Sequence, residues 1–273
     1  MKKNSSESGR QILKDDKKSE IIEIKSAQND FVKYCARLKN SKFRKQEGLI
    51  LADGIKTLEG FVSDGIEFEY LIVNKNELNK LGSFKAKKVI IVPDSILSKI
   101  SSLTTPQGAI GIIKEPVIDK KIFFNLDRIA LIENIKDPGN LGTIIRSAAA
   151  FSIQGLILFG ECVDLYNPKT IRSSAQNIFK IPIVATSDIE FIKDLRKSHK
   201  IISTVVKSEN NFFDCKFPQK FILALGSEAF GLSDKILNMT DIDTTIEMDN
   251  NVESLNLAVC ASIAFALTKN KLN

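Results

Sequence analysis

The chain has 273 residues, of which 43% are hydrophobic and 26% charged, proportions typical of a folded globular protein. It has no apolar run long enough to span a membrane and no signal peptide in its polar first twenty residues, so we expect a cytoplasmic protein. Four scattered cysteines and one histidine argue against a disulfide framework, a metal site and Ser-His-Asp or Cys-His catalysis. The histidine, His199, is expected to be an ordinary surface residue.

The net charge of +6 is concentrated in the first half of the chain. Residues 1–20 carry six basic and four acidic side chains, residues 21–120 sixteen and twelve, and residues 121–273 seventeen of each. The segment KYCARLKNSKFRK, Lys33 to Lys45, holds six cations and no anion. It is either the contact surface for a polyanion such as RNA or a solvated helix face. Its candidate RNA-binding residues are Lys33, Arg37, Lys42, Arg44 and Lys45.

The first half of the chain predicts a small α/β domain after a disordered tail over residues 1–20. A helix from about Asp30 to Lys39 is expected to be capped by Ser26 or Asn29. The elements that follow alternate between β-branched strands and amphipathic helices, which places one domain over residues 21–115. In chain order they are the strand GLILADG, the helix IKTLEGFVSDG, the strands EYLIVN and KVIIVP, the helix SILSKISSLTT and the strand QGAIGIIK.

The second half predicts a parallel sheet with helices on both faces over residues 128–273, after a linker at 116–127. Its strands are separated by helices of about ten residues, including one over IRSSAQNIF, and this alternation is typical of parallel α/β folds. Ligands of such sheets bind beyond the carboxyl ends of the strands. The expected strands are RIALIENI, GLILFG, IPIVAT, KIISTVV, FILALG and TTIEM.

The first loop with an unusual sequence is ENIKDPGNLGTIIRSAAAF, Glu133 to Phe151. Asp137-Pro138-Gly139 signals a tight turn, after which Asn140 is either a helix cap or a site residue. Arg146 interrupts an otherwise apolar, small-residue helix. A guanidinium in this position needs an anionic partner, either a phosphate of a ligand or a carboxylate in a structural ion pair.

The second loop, FILALGSEAFGLSDK, has two glycines at the spacing of a phosphate-binding loop, Gly226 and Gly231. Leu232 stands where such a loop needs lysine, and Glu228 would repel a phosphate. A nucleoside triphosphate is therefore disfavoured, although a nucleotide-dependent enzyme remains a weaker alternative. Glu228 is expected to pair with Arg146 or with the ribose of a ligand.

The third loop, IEMDNNVESLNLAVCASIAFAL, leads into a closing apolar helix. Ser254 is expected to cap a helix that begins at Leu255. Asn256 would then lie in the first turn, near the other two loops.

These three segments, in this order and at this spacing, resemble the three motifs of the SpoU/TrmH family of RNA ribose 2′-O-methyltransferases, in the SPOUT superfamily. The motifs are NIKDPGNLGTIIRSA, ALGSEAFGLS and IEMDNNVESLNLAV. The N-terminal segments IKSAQNDFVKYCARLKNSKFRKQEGLILADG and SSLTTPQGAIGII are similar to the family's substrate-binding domain, so the resemblance covers residues 22–270. One departure is Ser174-Ala175-Gln176-Asn177, where the family often reads Ser-Ala-Gly-Ala.

The resemblance implies a parallel α/β sheet with a C-terminal trefoil knot over residues 128–273 and an RNA-binding domain over residues 21–115. The knot would bind S-adenosylmethionine. The residues that the resemblance assigns to this cofactor are Leu225, Gly226, Ile246, Met248, Leu255 and Asn256.

The resemblance also implies a catalytic set and partners. The catalytic residues would be Arg146, Asn140, Glu228, Ser254 and Asn256, with Arg146 as a clamp on a phosphate because its pKa is too high for a base. Arg172 would help to bind RNA. The family acts as a homodimer with a shared RNA site, so Arg146 can serve the pocket of the partner. Ribosomal RNA is favoured over transfer RNA, and a non-catalytic RNA-binding or ribosome-assembly protein is the alternative.

Overall fold

The computed structural model describes residues 20–80, 84–249, 251–252 and 254–270. The predicted disordered tail, apart from Glu20, lies outside the described residues. The chain divides into two compact units after Pro116. The predicted linker therefore belongs almost wholly to the second unit, where a short 3-10 helix over Lys120–Asn125 buries Phe123 completely.

The first unit is built on a mixed five-stranded sheet in the order β1-β4-β3-β5-β2. β1, β4 and β3 are parallel, whereas β5 is antiparallel to both of its neighbours. The strands are β1 (Glu20–Glu23), β2 (Leu49–Asp53), β3 (Phe68–Asn74), β4 (Ala86–Val92) and β5 (Ala109–Lys114). The helices are α1 (Asp30–Arg37), α2 (Ser41–Glu47), α3 (Ile55–Ser63) and α4 (Asp94–Ile100).

Local capping explains the helices of the basic segment. α1 begins after Asn29, whose side chain accepts a hydrogen bond from the Phe31 backbone N–H. Of the two predicted caps, Asn29 is therefore the one that is confirmed. The sequence prediction missed α2. Its signals were Asn40, which accepts from the Phe43 N–H, and Gly48, which ends the helix in the left-handed region at φ 60°.

The second unit is built on a six-stranded sheet, all parallel, in the order β11-β9-β10-β6-β7-β8. The strands are β6 (Arg128–Glu133), β7 (Gly155–Phe159), β8 (Ile183–Thr186), β9 (Lys200–Thr204), β10 (Phe221–Leu225) and β11 (Ile242–Thr244). The helices are α5 (Pro138–Ala150), α6 (Pro168–Ser173), α7 (Ile189–Arg196), α8 (Asp234–Leu237) and α9 (Leu257–Asn270). β6, β7 and β10 are buried along their whole length apart from Arg128, which agrees with the predicted parallel sheet covered on both faces.

Three local expectations for this unit were wrong. α6 ends at Ser173 instead of continuing through Phe179, because Ala175 and Gln176 turn the chain with φ values of 46° and 71°. Gln176 thus holds a left-handed conformation that glycine adopts without strain, at the position where the family often has glycine. His199 is buried, with its ring nitrogens 2.7 Å from the Leu126 carbonyl oxygen and 3.1 Å from that of Leu195. The last strand lies at Ile242–Thr244 instead of over TTIEM.

Gly142 sets how closely α5 and α6 approach. A Cβ atom at this position would lie 2.5 Å from the Ser173 Cβ and 2.6 Å from the Thr170 carbonyl oxygen. We expect Gly142→Ala to lower the free energy of unfolding by about 1–3 kcal/mol in chemical denaturation, because overpacking outweighs the roughly 1 kcal/mol gain in helix propensity. Thr143→Ala, at the exposed neighbouring position, is the control and should stay within about 0.5 kcal/mol of wild type. Equal stability of both variants would contradict this account.

Within the described residues, every helix falls short of the length and apolar character that a membrane span requires.

Candidate functional site

The three unusual loops meet at one edge of the six-stranded sheet. β6 and β10 are adjacent and parallel, so the first loop and the glycine loop, defined as Gly226 to Ser233, leave the sheet at the same edge. The third loop reaches this edge through Asn256, immediately before α9.

A chain of side-chain hydrogen bonds links the three loops. The Asn256 amide donates to the Asn140 Oδ1 atom at 3.2 Å, and the Asn140 amide donates to a carboxylate oxygen of Glu228 at 2.7 Å. The structure therefore brings together three of the five predicted catalytic residues. Glu228 accepts this hydrogen bond from Asn140 and not from Arg146, which was one of its two expected partners. The other expected partner, the ribose of a ligand, stays a prediction.

Asp137 and Asn256 cap the helices α5 and α9, so the Asn140 side chain is free to form these hydrogen bonds. Asp137 caps α5, since its Oδ1 atom accepts from the Asn140 backbone N–H at 2.8 Å. This hydrogen bond and the ammonium of Lys169 hold the pKa of Asp137 below its usual value. Asn256, not Ser254, caps α9, because its Oδ1 atom accepts from the Ala258 N–H at 2.9 Å and α9 begins at Leu257.

The glycine loop is folded tightly on itself. Ser227 and Gly231 exchange two backbone hydrogen bonds of 3.1 and 2.9 Å. Gly226 packs so closely beneath this pair that a Cβ atom would lie 1.9 Å from the Gly231 carbonyl carbon. At the end of the loop, the buried carboxylate of Glu133 accepts hydrogen bonds from both the backbone N–H and the hydroxyl of Ser233, each at 2.7 Å. The loop is thus fixed at both ends.

A cavity of about 460 Å³ opens beside the glycine loop. Among the described residues that line it, Glu228 is the one charged side chain and no lysine, arginine or histidine is present. A ligand with phosphate groups would find no counter-charge here, whereas a neutral or cationic ligand fits the lining. The predicted site residues that line the cavity are Gly226, Glu228, Ile246, Met248, Ser254 and Leu255.

Two predicted cofactor residues lie elsewhere. Leu225 is fully buried at the end of β10, and Asn256 belongs to the hydrogen-bond chain instead of the cavity wall. The sequence prediction missed Cys260 and the segment from Thr204 to Val206, which also line the cavity. Burial raises the pKa of the Cys260 thiol. Thr204 ends β9, and only the strand order places β9 next to β10.

Arg146 lies in the middle of α5, five residues after the first turn of the helix at 138–141. Its side chain is exposed, and none of the described residues forms an ion pair or hydrogen bond with its guanidinium. A structural ion pair was one of the two alternatives for Arg146. The described residues do not form it. Arg172, at the end of α6, is also exposed.

The basic segment in the first unit is only partly available to a ligand. Lys33, Arg37, Lys42 and Lys45 are exposed, and the Arg37 guanidinium lies 4.0 Å above the ring of Phe43. Arg44, in contrast, is buried and donates to the carbonyl oxygens of Leu38 at 2.7 Å and Lys39 at 2.9 Å. The assignment of Arg44 to RNA is therefore corrected: its guanidinium satisfies backbone carbonyls that follow α1.

No group of three or more histidine, cysteine, aspartate or glutamate residues in the described part of the chain is arranged to hold a metal ion.

Comparison with known proteins identifies the family. Residues 127–266 match the SpoU rRNA methylase family, and residues 29–111 match the MRM3-like substrate-binding domain. The chain belongs to the SpoU rRNA methylase family. An uncharacterized tRNA/rRNA methyltransferase of Synechocystis is 31% identical over an alignment of 255 residues that covers 90% of this chain and 92% of the relative.

Two further relatives of this SpoU protein have names that state a nucleotide. The Bacillus subtilis 23S rRNA (guanosine(2553)-2′-O)-methyltransferase RlmP is 28% identical, with 88% of this chain and 96% of the relative covered. The Streptomyces viridochromogenes 23S rRNA (uridine(2479)-2′-O)-methyltransferase is 27% identical, with 88% of each covered. These relatives have different target nucleotides at nearly the same similarity to this chain.

Solved structures have the same fold. The SpoU methyltransferase AviRb of Streptomyces viridochromogenes is 25% identical, with a TM-score of 0.79 over 89% of this chain and 98% of that one. An rRNA methyltransferase of Sinorhizobium meliloti superposes with a TM-score of 0.82 at 24% identity, over 93% of this chain and 99% of that one.

Proposed function

We propose that this SpoU family protein transfers a methyl group from S-adenosylmethionine to the 2′-oxygen of a ribose in ribosomal RNA. The observation that carries the proposal is the hydrogen-bond chain Asn256–Asn140–Glu228 beside a cavity without cationic side chains among its described lining residues. Membership of an rRNA methylase family and two relatives named as 23S rRNA 2′-O-methyltransferases support it.

The lining of the cavity fits the proposed cofactor. Apolar side chains and the backbone of the glycine loop suit an adenosine, and Glu228 suits the positive charge of a sulfonium group. We assign the cofactor to Gly226, Ile246, Met248 and Leu255. When bound, the cofactor supplies an electrophilic methyl group, and the protein supplies orientation and the exclusion of water.

The described residues suggest how the RNA is oriented. Asn140 holds one carboxylate oxygen of Glu228, which keeps that side chain beside the cavity mouth. The Arg146 guanidinium carries only hydrogen-bond donors, so we assign it to a phosphate of the RNA next to the target ribose. This clamp would align the 2′-hydroxyl for attack, and the proton would pass to that phosphate or to water. Ser254, in the cavity wall, and Asn256 complete the proposed catalytic set.

We further propose that the C-terminal part of the second unit forms a trefoil knot and that the protein acts in the cytoplasm as a homodimer. In the knot, the glycine loop and the chain after β11 would enclose the cofactor, and described residues of both, such as Gly226, Met248 and Leu255, line the cavity. In the dimer, Arg146 would serve the pocket of the partner. This role is compatible with its position outside the cavity lining of its own chain.

The first unit is proposed to bind the RNA. Its match to a substrate-binding domain and the exposed cations of the basic segment support this role. We assign phosphate contacts to Lys33, Arg37, Lys42 and Lys45, together with Arg172 of the second unit. Phosphate contacts supply affinity without sequence preference, so the target nucleotide must be selected elsewhere.

The test is methylation of total RNA by the purified protein with methyl-labelled S-adenosylmethionine, followed by mapping of the ribose-methyl positions. Label at one ribosomal RNA nucleotide is the expected result. Label in transfer RNA alone would retain the chemistry and overturn the substrate. Absence of label, together with absence of cofactor binding in calorimetry, would favour a non-catalytic RNA-binding protein.

A further inference from the structure

The most exposed aromatic side chain of the described residues lies on the glycine loop. Phe230 is 91% exposed, whereas the other phenylalanines with exposed side chains, Phe213 and Phe124, are 46% and 37% exposed. Exposing a whole phenylalanine ring to water is unfavourable, and exposed aromatic side chains are over-represented at binding sites.

The loop holds Phe230 in this position. The paired backbone hydrogen bonds of Ser227 and Gly231 close a tight turn around it, and its own N–H donates to the Ser227 hydroxyl at 3.3 Å. On the other side of the turn, Glu228 is held by Asn140. These contacts fix the backbone on both sides of Phe230 and therefore the position from which its ring projects.

Phe230 also lies at the mouth of the cavity. It lines the cavity together with Val206, whose side chain is 65% exposed and belongs to the chain after β9. Two exposed apolar side chains from separate segments thus lie where the cavity wall meets the solvent. Glu228, two residues before Phe230, marks the proposed site of reaction.

We infer that Phe230 is a stacking platform for the base of the target nucleotide. The inference rests on the proposed function, because the base is attached to the same ribose whose 2′-oxygen must enter the site, and it must therefore lie close to the mouth. Proteins that bind single-stranded RNA stack its bases on aromatic rings, and stacking tolerates any base.

The substitution series separates stacking from simple apolar contact. Phe230→Ala and Phe230→Leu are expected to raise the KM for a ribosomal RNA fragment by about 10- to 100-fold, because alanine and leucine have no ring to stack. Phe230→Tyr should remain within about threefold of wild type. The dissociation constant of S-adenosylmethionine, from calorimetry, should stay the same in all three variants. Phe213→Ala removes a half-exposed ring outside the cavity lining and should leave the KM unchanged.

A fluorescence experiment tests the contact directly. The chain has no tryptophan, so Phe230→Trp introduces a single indole at the proposed platform. We expect the RNA fragment to quench its fluorescence, because stacking on a base quenches indole emission. Half-maximal quenching should occur at an RNA concentration close to the KM.

Three results would overturn the inference. They are an unchanged KM in Phe230→Ala, weaker cofactor binding as its main effect, and a shift in oligomeric mass that points to a contact between protomers. The KM comparison presupposes that the wild-type protein methylates RNA, whereas cofactor binding and oligomeric mass are measured independently of activity. Absence of methylation by wild type would reject the proposed function itself, so the two failures are distinguishable.

Discussion

Arg146→Ala is expected to lower the rate of methyl transfer at saturating cofactor and RNA by at least about 100-fold. Removing one preorganised donor to a developing or adjacent negative charge costs enzymes about 10²- to 10³-fold in kcat. The side chain is exposed and forms no hydrogen bond or ion pair with any described residue, so its loss should leave stability within about 0.5 kcal/mol of wild type. Single-turnover assays with labelled cofactor, beside chemical denaturation, measure both quantities.

The control removes one positive charge from the same unit without touching the site. Lys193, on α7, forms an exposed ion pair with Glu190, and Lys193→Ala should keep near-normal turnover. Arg146→Lys should recover only part of the rate, because an ammonium cannot donate the two parallel hydrogen bonds with which a guanidinium binds a phosphate. Turnover near wild type in Arg146→Ala would reject the proposed phosphate clamp.

Gly226→Ala is expected to weaken S-adenosylmethionine binding by at least about 100-fold, or about 2.7 kcal/mol. The added Cβ would lie 1.9 Å from the Gly231 carbonyl carbon and 2.2 Å from the Leu232 nitrogen. Both are backbone atoms, so no side chain can rotate away and the turn must open. Since this turn forms part of the cavity wall, the binding surface would be lost with it. Isothermal titration calorimetry measures the effect.

Gly231 is the matched control within the same loop. Its φ of 65° lies in the left-handed region, but a Cβ atom added there would meet no atom within 4 Å beyond its chain neighbours. Gly231→Ala therefore adds only conformational strain of about 1–2 kcal/mol, which we expect to weaken cofactor binding less than Gly226→Ala. Equal losses in the two variants would show that close packing at Gly226 is not the cause.

Mixing the two inactive variants tests the shared site of the proposed homodimer. In a dimer formed by one Arg146→Ala chain and one Gly226→Ala chain, one site would combine an intact arginine with an intact cofactor pocket. Random mixing of equal amounts should then restore about a quarter of wild-type activity. If Arg146 served its own pocket, no site would be complete and the mixture would stay inactive.

Several elements could be predicted from the sequence because their signals are local. The strands FILALG and GLILFG are short apolar runs bounded by glycine, and both lie where they were expected. Asn29 caps α1 because an amide oxygen next to a helix start can satisfy a free backbone N–H. The Asn140, Glu228 and Asn256 positions were found through motif spacing, which carries information from the whole family.

Other features depend on contacts between a side chain and backbone atoms of another segment. Nothing near His199 in sequence shows that it would be enclosed by the carbonyl of Leu126, 73 residues away. Arg44 resembled its exposed neighbours in the basic segment, yet it is the one whose guanidinium fits the carbonyls after α1. In both cases a backbone acceptor determines burial, and backbone acceptors have no sequence signature.

The sequence by itself determined the alternation of strands and helices, the family motifs and the absence of the lysine that a phosphate loop requires. These properties follow from residue type and spacing along the chain. Only the tertiary structure decided that Glu228 pairs with Asn140, that Thr204 to Val206 form a wall of the cavity, and that Phe230 stands exposed at its mouth. The physical reason is that strand order and loop packing bring together atoms far apart in the chain, and the free energy of those contacts is not encoded at any single position.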